Sequence, residues 1–440
     1  MDETPPEVRL DSLATQLSLD TNGKFQTRIR DQESTISEAV LYIRKTSVND
    51  FDSLALTSGD QVIWSADLNS DIITEYGLEY YLRIEHGGRE SYYPAAYKTI
   101  PAALSIQIPQ YGFPQQTLAN DYQMISVPFN SKGQTLKELF GDELGTYDNT
   151  KYRIFDWDPT DTVFVEQKDM NTKLPPGKAL YLITKKSKQL NINDCQTVLS
   201  GEAFTIDLKK GWNMIGIPYA FNVLWSDIHP STNGMDLKFW DGTQMIYPKI
   251  LEPFKGYGFY ADRDTAIVVP AVEAAISKLA KPDQDSDESE WYFQIEAQRG
   301  RYADRFNFAG VRNSSNDKLD RWDSYEAPGI GDHISLYFTE KIENNKSVKL
   351  CANYKYKNNT HYQYDFEYKS TISGKTLLNL IPKNLPDTYD WGVIAREGNI
   401  LLPKGKISSF QKNKQYRLIV GNRDYLNSIK SEFKILPEKF

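Results

Sequence analysis

The residues best suited to chemistry are five oxygen-bearing side chains in the last third of the chain. They are Asp304, Asn307, Asp317, Asp320 and Asp323. Calcium prefers about six to eight hard oxygen ligands, so this cluster indicates a structural calcium site of an extracellular module. The spacing does not match an EF-hand loop, whose ligands stand at alternate positions. A second interpretation stays open, in which the carboxylates form turn hydrogen bonds and salt bridges to neighbouring arginines.

No catalytic motif is recognised in the sequence. The histidines are His86, His229, His333 and His361, and none lies in a Gly-x-Ser-x-Gly elbow or a His-Glu-x-x-His helix. His86 precedes a Gly-Gly hairpin turn and is interpreted as a loop histidine. The sequence therefore predicts no catalytic residue and no cofactor apart from the candidate calcium. Paired carboxylates for glycoside hydrolysis stay open, because the distance between two carboxyl groups does not follow from the sequence.

Charge, hydropathy and cysteine content exclude several classes of site. The formal net charge is −8 and no long basic block occurs, whereas a nucleic-acid-binding surface neutralises phosphates with lysine and arginine. No run of about 18 apolar residues is present, so the sequence predicts no membrane span. Cys195 and Cys351 are the only cysteines. They are too few for a structural zinc site, and we expect them to be unpaired.

The middle of the chain repeats itself. The first copy contains Met124-Ile-Ser-Val-Pro-Phe129, Arg153-Ile-Phe-Asp-Trp-Asp158 and Leu174-Pro-Pro-Gly-Lys-Ala-Leu-Tyr-Leu-Ile183, and the second contains Met214-Ile-Gly-Ile-Pro-Tyr219, Leu237-Lys-Phe-Trp-Asp-Gly242 and Leu251-Glu-Pro-Phe-Lys-Gly-Tyr-Gly-Phe-Tyr260. Each copy has the order strand, short helix, hairpin, strand, strand. In the first copy the helix is predicted over 135–140, with Thr135 as its cap. The pattern predicts one domain built from a duplicated β-unit.

The aromatic residues of the repeat admit two interpretations. They are Trp157, Tyr181, Trp212, Trp225, Trp240 and Tyr257. Flat apolar rings can stack on sugars, but positions shared by both copies favour packing in the core. If a function lies in this region, we expect it where the copies differ, in the segments 141–150 and 227–236.

Composition and pattern place the whole chain in the all-β class. The sequence has 28 Tyr, 20 Phe and 8 Trp, and aromatic residues make up 13% of it, which favours strands. Short alternating runs separated by turn signals are typical of β-sandwiches. We predict three consecutive β-sandwich-like domains, the middle one duplicated and with short helices. The predicted segments are 1–107 (sandwich), 108–272 (duplicated domain, copies about 120–195 and 210–270), 273–290 (acidic flexible linker), 291–434 (sandwich) and 435–440 (start of a truncated sorting segment).

Four segments resemble modules of secreted bacterial proteins. Ile73-Thr-Glu-Tyr-Gly-Leu-Glu-Tyr-Tyr-Leu-Arg-Ile84 is similar to the penultimate strand of immunoglobulin-like and fibronectin type III domains, with Tyr80 as the corner tyrosine. Gly211-Trp-Asn-Met-Ile-Gly-Ile-Pro218 resembles the opening of a module of large secreted proteins. Asp304-Arg-Phe-Asn-Phe-Ala-Gly-Val311 resembles a domain that precedes the sorting segment of surface-exported proteins of the Bacteroidota. Phe433-Lys-Ile-Leu-Pro-Glu-Lys-Phe440 resembles the lead-in to the carboxy-terminal sorting domain of type IX secretion cargo.

These resemblances imply a non-catalytic structural, spacer or presentation region of a secreted protein, located outside the cell or on the outer-membrane surface. The partner would be an upstream catalytic or adhesive domain of the same polypeptide. Two alternatives stay open. A carbohydrate- or protein-binding adhesion module would expose a coplanar set of aromatic rings, with a glycan or a surface protein as the partner. An accessory region of a secreted hydrolase or peptidase would have a cleft with converging carboxylates of perturbed pKa.

Overall fold

The protein is all-β, as the sequence predicts. The computed structural model describes residues 4–11, 15–201, 203–230, 237–274, 289–342, 347–357, 360–405, 407–430 and 432–435. Within these ranges there are 36 strands and two α-helices, α1 (Leu136–Leu144) and α2 (Arg423–Lys430). No described helix is long and apolar enough to span a bilayer. Residues 275–288 of the predicted linker and 436–440 of the predicted sorting segment lie outside the described ranges.

The chain divides into two compact units. The first unit comprises Met1–Thr232, Lys249–Tyr257 and Ala261–Ala275, and the second comprises Asn233–Pro248, Gly258–Tyr260 and Ile276–Phe440. The predicted boundary at 107 falls inside the first unit. One continuous hydrophobic core there contains Leu41 and Leu82 as well as Phe129 and Leu182.

The amino-terminal part of the first unit is a sandwich of two antiparallel sheets. Their strand orders are β1-β3-β7-β6 and β10-β8-β4-β5, and β9 also pairs with β8. The ring of Tyr80 packs edge-on against Phe25, and the described residues form no corner hydrogen bond with its hydroxyl. The strands up to residue 112 are β1 (Glu7–Leu10), β2 (Leu17–Ser18), β3 (Gly23–Arg30), β4 (Ile36–Lys45), β5 (Asp52–Ala55), β6 (Thr57–Ser58), β7 (Ile63–Leu68), β8 (Leu78–His86), β9 (Arg89–Tyr93), β10 (Ala102–Leu104) and β11 (Ile106–Gly112).

The duplicated part follows. Helix α1 confirms the predicted helix, and Thr135 forms a capping box with Glu138, in which each side chain bonds the other residue's backbone N–H. In the second copy its place is taken by a 3₁₀ turn at Trp225–Asp227. The strands are β12 (Tyr122–Ser126), β13 (Tyr152–Asp158), β14 (Val163–Glu166), β15 (Ala179–Thr184), β16 (Asn191–Gln196), β17 (Phe204–Leu208), β18 (Gly211–Gly216), β19 (Val223–Leu224), β20 (Phe239–Trp240), β21 (Met245–Ile246), β22 (Ile250–Leu251), β23 (Gly256–Ala261) and β24 (Thr265–Val269).

The two copies exchange equivalent backbone contacts. Ile125 of the first copy forms a bridge with Lys255 of the second, and the equivalent Ile215 of the second forms a bridge with Lys178 of the first. Ser126 donates its N–H to the carbonyl of Phe254 at 3.1 Å, and Gly216 donates to the carbonyl of Gly177 at 3.0 Å. Because each contact recurs with the copies interchanged, the duplicated region has an approximate twofold symmetry.

The second unit contains one sheet of 12 strands. Their order is β34-β31-β25-β26-β29-β28-β30-β35-β32-β33-β36, and β27 pairs with β29. Inward-facing residues such as Phe293, Leu336 and Tyr364 share one core. These strands are β25 (Ser289–Arg299), β26 (Tyr302–Arg312), β27 (Ser324–Tyr325), β28 (Ile334–Lys341), β29 (Ser347–Tyr356), β30 (His361–Ser370), β31 (Thr376–Lys383), β32 (Tyr389–Ala395), β33 (Ile400–Leu402), β34 (Ile407–Ser409), β35 (Asn413–Asn422) and β36 (Lys434–Ile435).

Candidate functional site

An open cleft of about 340 Å³ lies in the first unit where the two copies of the repeat meet. The first copy contributes the end of β13 and the turn before β15, and the other side is lined by β17, which precedes the second copy, and by the middle of β18. This volume falls in the usual range for small-ligand sites. The lining residues on which its chemistry depends are Asp156, Trp157, Lys178, Phe204, Thr205 and Asp207.

A tight turn forms the floor of the cleft. Lys178 donates its backbone N–H to the carbonyl of Pro175 at 3.2 Å, and Gly177 has a φ of +84°. Proline at the second position and a positive φ at the third define a type II turn, which favours glycine there. A Cβ on Gly177 would lie 2.9 Å from Ile206 Cγ1 and 3.1 Å from Phe204 Cε1. The absent side chain therefore lets β17 approach the turn.

An ion pair stands on the wall of the cleft. Lys178 Nζ lies 2.5 Å from Asp156 Oδ2, and the two side chains are 33% and 21% exposed. The pair is partly screened by solvent, so its contribution to stability is small. The ion pair instead holds a carboxylate and an ammonium group at fixed places beside the opening. Asp207 and Thr205 add oxygen acceptors from exposed positions on β17.

The aromatic wall is held by contacts outside the cleft. Trp157 donates its indole N–H to the backbone carbonyl of Trp212 at 2.7 Å. Its ring meets Phe164 edge-on, with centroids 4.8 Å apart. Both Trp157 and Phe204 remain partly exposed. The indole orientation is thus fixed before any ligand arrives, which lowers the entropic cost of binding.

The repeat aromatics divide between the two interpretations. Core packing holds for four of them, Tyr181, Trp225, Trp240 and Tyr257, which are buried. Trp157 and Trp212 are partly exposed, and Trp157 lines the cleft. The described residues of the segments in which a function was expected do not line the cleft. Residues 141–144 belong to α1, and residues 231–236 lie outside the described ranges.

The symmetry-related turn of the second copy is filled. There Lys255 donates its N–H to the carbonyl of Glu252 at 3.3 Å, and Phe254 occupies the position of Gly177 with a φ of +66°. The Phe254 ring meets Phe113 edge-on at 4.6 Å and stacks on Tyr111 at 5.7 Å. It is 8% exposed. The same backbone turn is therefore covered by a side chain in the second copy and left uncovered in the first.

A second aromatic surface lies on the amino-terminal sandwich. Tyr42, Tyr81, Tyr97 and Tyr92 form a row with successive ring centroids 4.5, 4.4 and 4.6 Å apart. Such short separations require the rings to cover one another's faces. A sugar platform needs free ring faces in one plane, whereas successive rings of this row cover one another in part.

The structure brings the residues of the candidate calcium site together in pairs. Asn307 donates its side-chain N–H to Asp304 Oδ1 at 2.7 Å. Asp320 donates its backbone N–H to Asp323 Oδ2 at 3.0 Å, and its own carboxylate accepts from Ser315 Oγ at 2.8 Å. The described contacts do not link Asp317 to either pair. Hydrogen bonds within the protein thus use most of these oxygens.

Burial raises the pKa values of three carboxyl groups in this region. It raises the pKa of Asp323 to about 7. Burial also raises the pKa of Asp304 and of Glu326, and the charge of Asp304 raises the pKa of Glu326 further. In the described part of the chain, no group of three or more His, Cys, Asp or Glu side chains is arranged to hold a metal ion. Calcium binding by Asp304, Asn307, Asp317, Asp320 and Asp323 stays a prediction.

Sequence reasoning missed the cleft itself. Its signal was present at one position, because aligning the two copies places Gly177 opposite Phe254 in otherwise similar Pro-containing turns. The pairing of Asp156 with Lys178 had no signal, since Asp156 lies on β13 and Lys178 lies in the turn before β15. The interpretation of His86 as a loop histidine is wrong, because His86 ends β8 and is 2% exposed. No protein-family model matches this chain, and no curated protein is similar to it at a significant level.

Proposed function

We propose that the duplicated region is a saccharide-binding module whose ligand enters the cleft beside Trp157. The observation that carries this proposal is the combination, in one opening, of an indole ring held in place with carboxylate and hydroxyl oxygens. A sugar has an apolar C–H face that packs on an aromatic ring and hydroxyl groups that donate hydrogen bonds. The cleft supplies both complements.

The charge of the cleft favours a neutral sugar. Lys178 is already paired with Asp156, and Asp207 adds a further carboxylate at the rim. An anionic ligand would meet net negative charge, whereas hydroxyl donors would find acceptors. Such a module is compatible with the proposal, from sequence, of a presentation region beside an upstream domain of a secreted cell-surface protein.

A glycan array followed by calorimetry on the intact chain tests the proposal. We expect at least one neutral oligosaccharide to bind, and Trp157→Ala to weaken binding about tenfold or more, because losing a central aromatic contact costs about 1.4 kcal/mol or more. Tyr92→Ala is the matched control, since it removes a 36% exposed aromatic ring outside the cleft.

Two results would contradict the proposal. If neither Trp157→Ala nor Tyr92→Ala changes the affinity for the oligosaccharide, the ligand binds elsewhere on the protein. The absence of any bound oligosaccharide across neutral and charged glycans would remove the saccharide class altogether.

A further inference from the structure

An arginine stands between two aromatic rings at the end of β26, in the second unit. Arg312 is the last residue of that strand. Its guanidinium carbon lies 4.4 Å from the centre of the Trp322 ring and 4.6 Å from the centre of the Tyr354 ring. Both contacts are cation–π interactions, and together they fix the position of the guanidinium group. Within the described ranges, the Arg312 side chain forms no hydrogen bond and no salt bridge.

A second arginine contacts the same indole ring. The guanidinium carbon of Arg321 lies 4.5 Å from the centre of the Trp322 ring, and Arg321 is exposed. No ion pair joins it to another residue in the part of the chain that the structure describes. Trp322 thus holds two positive groups within reach of one ligand. Because like charges repel at this separation, an anion that bridges the two groups is stabilised by both.

The carboxylates of the same loop are used elsewhere. Asp320 Oδ1 accepts the backbone N–H of Trp322 at 2.8 Å, and Asp323 Oδ1 accepts that of Tyr354 at 3.0 Å. These bonds hold the backbone of the two residues whose rings contact Arg312. Among the described residues, neither carboxylate forms a salt bridge with Arg312 or Arg321. The loop therefore keeps its acidic groups on backbone donors and leaves both arginines for an outside acceptor.

The accessible edge of Arg312 matches a carboxylate. Its Nε is buried, whereas the two terminal nitrogens are not. The edge that these two nitrogens form presents parallel N–H groups, which fit the two oxygens of one carboxylate. The indole N–H of Trp322 is also buried, with no acceptor among the described residues, although native structures pair most buried donors. This loop therefore has donors in excess, and an ionised carboxylate is a pure acceptor.

We propose that Arg312 and Arg321 form a binding site for a small dicarboxylate, with one carboxylate group at each guanidinium. Two separate positive groups on one ring suit two carboxylates joined by a short chain better than the single compact charge of a phosphate. The formal net charge of the chain is −8, so the field of the whole protein does not attract anions. Affinity then depends on the local contacts and should be millimolar. The proposal does not depend on saccharide binding, because it concerns other residues.

Calorimetric titration of the intact chain with glutarate at low ionic strength tests the proposal. We expect glutarate to bind and its dimethyl ester not to bind. Arg312→Lys should weaken binding about tenfold or more, because lysine keeps the charge but lacks the paired N–H groups. Arg417→Lys is the matched control on the same sheet, since Asp365 already occupies the Arg417 guanidinium with bonds of 2.6 and 2.7 Å. This variant should bind glutarate as the wild type does.

Two substitutions of Trp322 separate orientation of the arginines from charge alone. Trp322→Leu removes the ring that holds both guanidinium groups and should weaken glutarate binding, whereas Trp322→Phe keeps a ring face and should retain most of the affinity. Melting curves of all variants show whether a loss of binding reflects a loss of fold. The proposal is overturned if wild-type protein does not bind glutarate, binds the ester or phosphate as tightly, or loses as much affinity in Arg417→Lys as in Arg312→Lys.

Discussion

The two turns of the duplicated region differ at two positions, where Pro175 stands opposite Glu252 and Gly177 opposite Phe254, and the second difference decides whether the turn is covered. Both are type II turns that pass a carbonyl to the other copy, at Gly177 and at Phe254. Glycine suits the positive φ without cost, whereas phenylalanine at φ +66° stores about 1 to 3 kcal/mol of strain. Burial of the Phe254 ring against its aromatic neighbours offsets that strain. Duplication thus provided two equivalent positions, of which one became core and the other stayed open.

The largest loss of stability should come from removing the Phe254 ring, which fills the turn of the second copy. Phe254→Ala removes a ring buried among Tyr111, Phe113 and Phe129, and such a change costs about 3 to 5 kcal/mol in the free energy of unfolding. Phe254→Gly should cost about 1 kcal/mol less, because glycine relieves the positive φ. Urea unfolding followed by tryptophan fluorescence measures both. If alanine is tolerated as well as glycine, strain at this turn plays no part.

Adding a side chain at Gly177, in the uncovered turn of the first copy, should reduce stability by an intermediate amount. Gly177→Ala sets a Cβ at 2.9 Å from Ile206 in a backbone conformation that disfavours it, at a cost of about 1 to 2 kcal/mol. The same change narrows the cleft, so oligosaccharide binding should weaken together with stability. Calorimetry and thermal melting report the two effects.

The matched control for this substitution is Gly59→Ala. A Cβ at Gly59 meets nothing within 4 Å, so stability and binding should both stay unchanged. Equal effects of the two alanine substitutions would show that the close approach at Gly177 does not matter.

The smallest change in stability should come from replacing the two equivalent lysines, Lys178 and Lys255. Lys178 pairs with Asp156 in the cleft, and Lys255 pairs with Glu252 at 2.8 Å on the filled side. Both pairs are partly exposed, so replacing either lysine by methionine should change stability by less than about 1 kcal/mol. Only Lys178→Met should weaken oligosaccharide binding. Equal binding losses in calorimetry would argue against a site confined to one side.

Much of the fold followed from local pattern. Alternating runs gave the all-β class, and Thr135 with Glu138 gave the start of α1, because strand alternation and helix caps are set by neighbours in sequence. The division into compact units did not follow, since it depends on which core each segment joins. Residues 237–248 belong to the second copy of the repeat in sequence but to the second compact unit in space.

The candidate sites show the same limit more sharply. The cleft is lined by β13, the turn before β15, β17 and β18, and no spacing rule joins these segments, because β13, β17 and β18 lie in three different sheets. The sequence alone determined the repeat, the strands and the two turns that the repeat contains. Only the tertiary structure decided that one turn is covered by Phe254 and the other opens beside Trp157, because burial depends on which surfaces face each other after the chain has folded.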